Sequence, residues 1–157
     1  MALNSSFFTR LSRSAQNVAN GSNGNNGVQI FGGKFSKIEE SVSNLADGIL
    51  CSDGLRRKPV AACVIETQSV DRYGSPFVRK DVRVYLENPN GKVDGVFASY
   101  RLNPDSTLRP GQWLDVNSLQ SYKCERAGVE QPGNYADAKA TDAEPSKDIL
   151  TAIGFLK

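Results

Sequence analysis

Residues 77–87 read FVRKDVRVYLE, and two kinds of side chain alternate along this stretch. An alternation with period two is typical of a β-strand whose two faces meet different surroundings. One face carries Val78, Val82, Val84 and Leu86, and the other carries Phe77, Arg79, Asp81, Arg83 and Tyr85. The stretch therefore predicts a strand with one face in the core and a second face of aromatic and charged side chains.

Three neighbouring stretches have a similar character. Residues 60–70, 93–102 and 112–124 are rich in β-branched or aromatic residues, which favour strands. Turn-forming sequences with Gly, Pro, Asn and Asp separate them. The pattern predicts a mainly β fold with one or two short helices, arranged as a small barrel or an antiparallel meander.

A helix is predicted just before these strands. Residues 36–39 read SKIE, the sequence of a capping box, in which the Ser and Glu side chains satisfy free N–H groups. Apolar residues follow at helical spacing, namely Ile38, Val42 and Leu45. We therefore predict a helix over about 37–47, preceded by a short strand over 28–31. Together with the four strands it forms a predicted globular domain over 28–126.

The two ends of the chain differ from this domain. Residues 1–27 are predicted to be a mobile N-terminal arm, with an amphipathic helix followed by an Asn/Gly-rich linker. Residues 127–157 are predicted to be a polar, mildly acidic C-terminal tail that is loose over 132–145. Ser146 is placed to cap a final apolar segment, 149–156, for which the sequence leaves a short helix and an edge strand open.

The composition argues against catalysis and metal binding. The chain has no histidine, and none of its three cysteines lies in a C-x-x-C pair. It also lacks a phosphate-binding glycine loop and a G-x-S-x-G nucleophile motif. We therefore expect a non-catalytic binding protein without a metal ion or cofactor. No apolar run is long enough to span a bilayer, so we expect no membrane partner and a cytoplasmic location, or a virion if the protein is viral.

The order of the predicted strands resembles a known fold. Residues 108–113 read LRPGQW and lead into the fourth strand, after a long first hairpin and a third strand. Over residues 60–124 this resembles the oligonucleotide-binding (OB) fold of single-stranded-DNA-binding proteins. The fifth strand of such a barrel would come from 28–31 or from 149–156.

The resemblance implies a binding face for single-stranded nucleic acid, with DNA favoured over RNA. In OB domains, bases stack on aromatic rings of the open sheet face while Lys and Arg follow the phosphates. The strand residues implied here are Arg79, Arg83, Tyr85, Phe97 and Arg101, with Phe77 beside them. Residues implied at the border of the groove are Trp113, Tyr122 and Lys123, with Tyr73 and Lys80. The cationic run Arg56, Arg57 and Lys58 is a further candidate for holding phosphate.

A second functional hypothesis is a structural or assembly protein, such as an accessory or decorating protein of a virus particle. The net charge is only +2, and an Asn/Gly-rich linker joins the N-terminal arm to the β domain. Under this hypothesis we expect self-association through residues 1–27.

Overall fold

The structure, a computed structural model, describes residues 34–156 and is mainly β with one short α-helix. The predicted fold class is therefore confirmed. The strands are β1 (Phe35–Asn44), β2 (Ile49–Leu50), β3 (Arg56–Val70), β4 (Pro76–Glu87), β5 (Val93–Leu102), β6 (Trp113–Leu114), β7 (Gln120–Arg126), β8 (Val129–Glu130) and β9 (Tyr135–Asp137). A 3-10 helix spans Val116–Ser118, and the α-helix α1 spans Lys147–Ala152.

The chain divides into two compact units. Of the described residues, the first contains 35–125 and 130–156 and carries most of the sheet and α1. Of the second unit, the structure describes Lys34 and residues 126–129. Within those residues, Ala127 and Gly128 have φ angles of 53° and 80°, the left-handed backbone that tight turns use.

An antiparallel meander of β3, β4 and β5 forms the middle of the sheet, as the alternation predicts. The β3–β4 turn is held by the Asp71 carboxylate, which accepts backbone hydrogen bonds from Tyr73 (2.8 Å) and Ser75 (2.9 Å). Gly74 in this turn has φ 83°, a conformation that L side chains rarely adopt. The strands predicted at 60–70, 77–87 and 93–102 are confirmed.

The wider sheet has the strand order β1-β7-β9-β5-β4-β3-β2 and curls into a half-barrel. Its concave interior is one apolar cluster to which most strands contribute. The largest fully buried side chains are Leu86, Leu119, Val64, Val82 and Val84, together with Cys124 elsewhere in the sheet. Val78 lies on the same face of β4, as predicted, but its side chain is 51% exposed. The expected burial is wrong at this position because β4 extends beyond β5, and the last pair between the two strands is Asp81 with Arg101.

The helix predicted over 37–47 is wrong, because β1 occupies most of this range. Ile38 and Val42 are four residues apart, a spacing that fits one face of a helix and equally one face of a strand. Pairing with β7 at the edge of the sheet decides in favour of the strand. The Ser41 hydroxyl accepts a hydrogen bond from the Lys123 backbone N–H (2.8 Å), which ties β1 to β7. The predicted strand 28–31 and arm 1–27 lie outside the described residues.

The single strand predicted over 112–124 is two strands with a 3-10 helix between them. Asp115 caps this helix, and its carboxylate accepts a hydrogen bond from the Asn117 backbone N–H (3.0 Å). The turn before β6 docks on β3, where Gly111 N–H donates to the Val64 carbonyl (2.8 Å). The break lets β6 pair with β3 while β7 pairs with β9 on the other side of the half-barrel.

The C-terminal residues are not a loose tail. β9 lies between β5 and β7, with Tyr135 4% exposed and Ala136 fully buried. Of the two alternatives for the last segment, the helix is observed: Ser146 caps α1 by accepting a hydrogen bond from the Ile149 N–H (3.3 Å), as predicted. Polar composition misled the prediction because the three residues of β9, which pair with β5 and β7, anchor the segment in the sheet.

Candidate nucleic-acid interface

The convex face of β4 and β5 brings most of the predicted strand residues together. Directly paired residues of antiparallel strands lie on the same face. Arg83 pairs with Ser99, and Asp81 pairs with Arg101. Arg79, two residues before Asp81, shares this face. We call the resulting group the arginine patch: Arg79, Arg83, Phe97 and Arg101.

The centre of the arginine patch is a contact between Arg83 and Phe97. The guanidinium carbon of Arg83 lies 4.2 Å from the centroid of the Phe97 ring, a cation–π geometry. Phe97 is 46% exposed, so much of this pair faces solvent. The Arg83 Nε is buried and has no hydrogen-bond partner among residues 34–156. Arg83 is therefore held by stacking and retains an unused donor.

Asp81 lies within the arginine patch and offsets part of its charge. Its buried carboxylate accepts a hydrogen bond from the Thr67 hydroxyl (2.9 Å) and forms an ion pair with the Arg79 Nε (3.0 Å). Arg101 lies across from it on β5, and its Nη1 is 3.5 Å from the Pro132 carbonyl. Three guanidinium groups against one carboxylate leave this face cationic.

Tyr85 does not belong to an open face, so the predicted placement of its ring on an exposed strand surface is wrong. It pairs with Phe97 and points the same way, but it is only 4% exposed. Phe155, just after α1, packs edge-on against it with the ring centroids 6.1 Å apart. Around Tyr85 lies a second apolar cluster that joins the sheet to α1, with Ala61, Cys63, Val60, Ile65, Trp113, Ile149 and Ile153.

Trp113 is part of the same cluster. Its ring centroid lies 5.2 Å from that of Phe155, and its side chain is half-buried. Burial also raises the pKa of the neighbouring Cys63 thiol, which the charge of Arg83 partly opposes. Phe155, which covers this region, was not predicted as a packing residue, although the i, i+4 spacing of Ile149 and Ile153 indicates an amphipathic helix.

Tyr122 and Lys123 lie on β7, with β9 and β5 between them and β4. Tyr122 is 3% exposed and stacks on Tyr135 with the ring centroids 6.3 Å apart. Burial raises the pKa of Tyr122 well above its ordinary value. The Nζ of Lys37 lies 4.8 Å from the centroid of the Tyr122 ring. Tyr122 is therefore a packing residue, and the prediction that it borders an open groove is wrong.

The cationic run at the start of β3 lies at the far end of the sheet, where Lys58 pairs with Glu87. Arg57 forms a two-pronged ion pair with Asp53 (2.9 and 3.0 Å), and its Nε donates to the Asn88 side chain (2.8 Å). Arg56 donates to the Gly48 carbonyl (3.2 Å), and Lys58 is exposed. Arg57 thus serves the local structure, and the run is separate from the arginine patch.

The Arg57–Asp53 pair gives a prediction about pH. The hydrogen bond from Arg57 lowers the pKa of Asp53 from 3.8 to about 2, helped by the Leu55 N–H. A lowered pKa means that the pair stabilises the folded chain above pH 3.8 and is lost as the pH falls through about 2. We expect an NMR titration of the Asp53 carboxyl carbon to have its midpoint near 2, and Arg57→Gln to move it towards 3.8. The same midpoint in both proteins would contradict the ion pair.

Three further residues of the predicted binding face and its border lie on the outer part of the β3–β4 hairpin. Tyr73 is 79% exposed in the turn, and Phe77 is 43% exposed on the face that carries Arg79. Lys80 points to the other face, where its Nζ donates to the carbonyls of Leu108 (2.7 Å) and Ser106 (3.2 Å). Lys80 is therefore occupied in holding a loop and is not placed as a phosphate contact.

Residues 34–156 contain neither a candidate metal site nor a candidate membrane-spanning helix. No group of three or more His, Cys, Asp or Glu side chains in this range is placed to hold a metal ion. Within the same residues, no helix has the length and apolar character needed to cross a bilayer. Compared with protein-family models, curated proteins and solved structures, the chain gives no match.

Proposed function

We propose that the chain binds single-stranded nucleic acid through the arginine patch. The observation that carries the proposal is the solvent-facing stack of Arg83 on Phe97, flanked by Arg79 and Arg101. Unpaired bases stack on aromatic rings and on guanidinium planes, and guanidinium groups pair with phosphates. The patch offers both kinds of contact within one sheet face.

The proposed ligand is a single strand because of the geometry of the patch. Phe97 lies on a strand with its ring partly exposed, so a base can reach it only when that base is not stacked within a duplex. Asp81 limits the attraction, because it already neutralises part of the charge of Arg79.

The number of arginines sets the expected salt dependence. Each phosphate neutralised on a single strand contributes about −0.7 to the slope of log K against log salt concentration. Because Arg79 is already paired with Asp81, whereas Arg83 and Arg101 have no carboxylate partner among residues 34–156, we expect a slope between about −1.4 and −2. This value is small for a nucleic-acid-binding protein, and it suits a chain whose net charge is +2.

The test is the binding of a fluorescent oligonucleotide by full-length protein at several salt concentrations. We expect Arg83→Ala to weaken binding about 5- to 150-fold, because it removes a stacking partner and a phosphate contact together. It should also reduce the magnitude of the salt slope by about 0.7 to 1.

The matched control is Arg109→Ala, which removes the same charge from the exposed turn before β6. This variant should bind within about twofold of the unchanged chain, since Arg109 lies outside the patch. Equal losses in the two variants would mean that general charge, and not the patch, attracts the ligand. Absence of salt-sensitive binding at micromolar protein would refute the proposed function itself.

A further inference from the structure

The outer end of the β3–β4 hairpin, residues 66–80, leaves large apolar side chains exposed on both of its faces. The exposed fractions are 62% for Val70, 79% for Tyr73, 43% for Phe77 and 51% for Val78. A two-stranded hairpin that projects into water gains little stability by itself, and clustered exposed apolar side chains mark interaction sites. The hairpin end is therefore a candidate contact surface.

One strand edge of this hairpin end is also unpaired. The β4–β5 ladder stops at the pair of Asp81 with Arg101. Among residues 34–156, no other strand pairs with Pro76–Lys80 on that side. Backbone N–H and C=O groups along such an edge are a template for pairing with another strand. The hairpin end thus combines free backbone groups with apolar side chains.

We propose that a second copy of the chain pairs with this edge, antiparallel, about a two-fold axis at Val78. In that register Val78 lies opposite its own copy, and Arg79 of each chain lies opposite Phe77 of the other. Directly opposed side chains in antiparallel strands are about 5 Å apart, close enough for a cation–π contact in each of the two equivalent positions. Lys80 then faces Pro76, so no like charges are opposed.

The side chains favour a second copy over a polyanion at this edge. Arg79 is paired with Asp81, and Lys80 donates to two backbone carbonyls, so little free positive charge remains on β4 here. Two aliphatic side chains, Val70 and Val78, add apolar surface that a phosphate backbone would not cover. The other edge of the hairpin end, on β3, is less suited to pairing with a second copy. A two-fold axis at Gln68 would place the charged Glu66 of one chain opposite the apolar Val70 of the other.

The test is the self-association of the full-length chain without nucleic acid, followed by analytical ultracentrifugation across a wide concentration range. Val78→Lys would place two ammonium groups against each other on the two-fold axis. We expect the dimer dissociation constant to rise about tenfold or more. The control is Gln68→Lys. Gln68 pairs with Val78 within the hairpin, so this variant adds the same charge at the matching position on β3 and leaves the β4 edge unchanged.

The control should leave the dissociation constant within about twofold. A monomeric unchanged chain, equal effects of the two variants, or a larger effect of Gln68→Lys would each overturn the proposal. Association that persists in Val78→Lys would also overturn it and would point to residues 1–27 instead. Circular dichroism should be the same for all three proteins, because both positions are exposed. The proposal does not depend on nucleic-acid binding, and its failure would leave the arginine patch untouched.

Discussion

Leu86→Ala is expected to lower the free energy of unfolding by about 2–5 kcal/mol, the usual cost of truncating a buried leucine. Leu86 is 1% exposed and lies in the main apolar cluster between β3 and β5. The removed methyl groups would leave a cavity, because paired strands on both sides of β4 hold the backbone in place. For a small domain, this loss is a large part of the total stability.

The matched variant is Val78→Ala, on the same strand and on the face that the alternation assigns to the core. Because Val78 is 51% exposed, we expect a change of no more than about 0.5 kcal/mol. Urea unfolding followed by tryptophan fluorescence, at a protein concentration at which the chain is monomeric, measures both values, with the slope m unchanged if the variants unfold in the same two-state manner. A similar loss in the two variants would mean that the hairpin end packs against the body of the protein.

This contrast shows what the alternation can and cannot predict. The period of residues 77–87 correctly assigns each side chain to one of two faces, because successive residues of a strand point in opposite directions. It does not indicate where the strand leaves the rest of the sheet. The boundary at Asp81 depends on the length of β5, which is set by residues 20 positions further along the chain. Burial along β4 therefore could not be predicted from β4 alone.

The wrong helix at 37–47 has a related cause. The spacing of Ile38 and Val42 fits the period of a helix and also the period of a strand. The helix was predicted because the SKIE sequence is that of a capping box. The strand is favoured by hydrogen bonds to β7, more than 75 residues away, such as the one between Ser41 and Lys123. Long-range pairing of this kind leaves no signal in the local sequence. It can therefore override the local propensity in a way that the sequence of β1 alone does not predict.

For the candidate site, the sequence predicted which residues share a face but not which of them are covered. Arg83, Phe97 and Arg101 meet because strand pairing in register brings them together, and alternation predicted their common face. The cover over Tyr85 and Trp113 comes from α1 and Phe155, in a segment whose polar neighbours suggested a loose tail. A short helix at the end of a chain can dock on either face of a sheet, and its own sequence does not specify which one.

Substitutions of Tyr85 and Phe97 distinguish a residue that stabilises the fold from one that binds the ligand. The two residues pair across β4 and β5, but Tyr85 is buried and Phe97 is exposed. Tyr85→Ala should destabilise the fold by about 3–5 kcal/mol, since a buried ring that contacts Phe97 and Phe155 is removed. Phe97→Ala should cost no more than about 1 kcal/mol, because nearly half of its ring already faces water.

Oligonucleotide binding should show the reverse order. Phe97→Ala is expected to weaken binding about 5- to 150-fold through the loss of a stacked base, measured well below the unfolding temperature of each variant. Tyr85→Phe keeps the buried ring and removes only the hydroxyl, so it should bind within about twofold of the unchanged chain. If Phe97→Ala bound normally while remaining folded, the exposed ring would have no part in recognition. The arginines would then act on the ligand through charge alone.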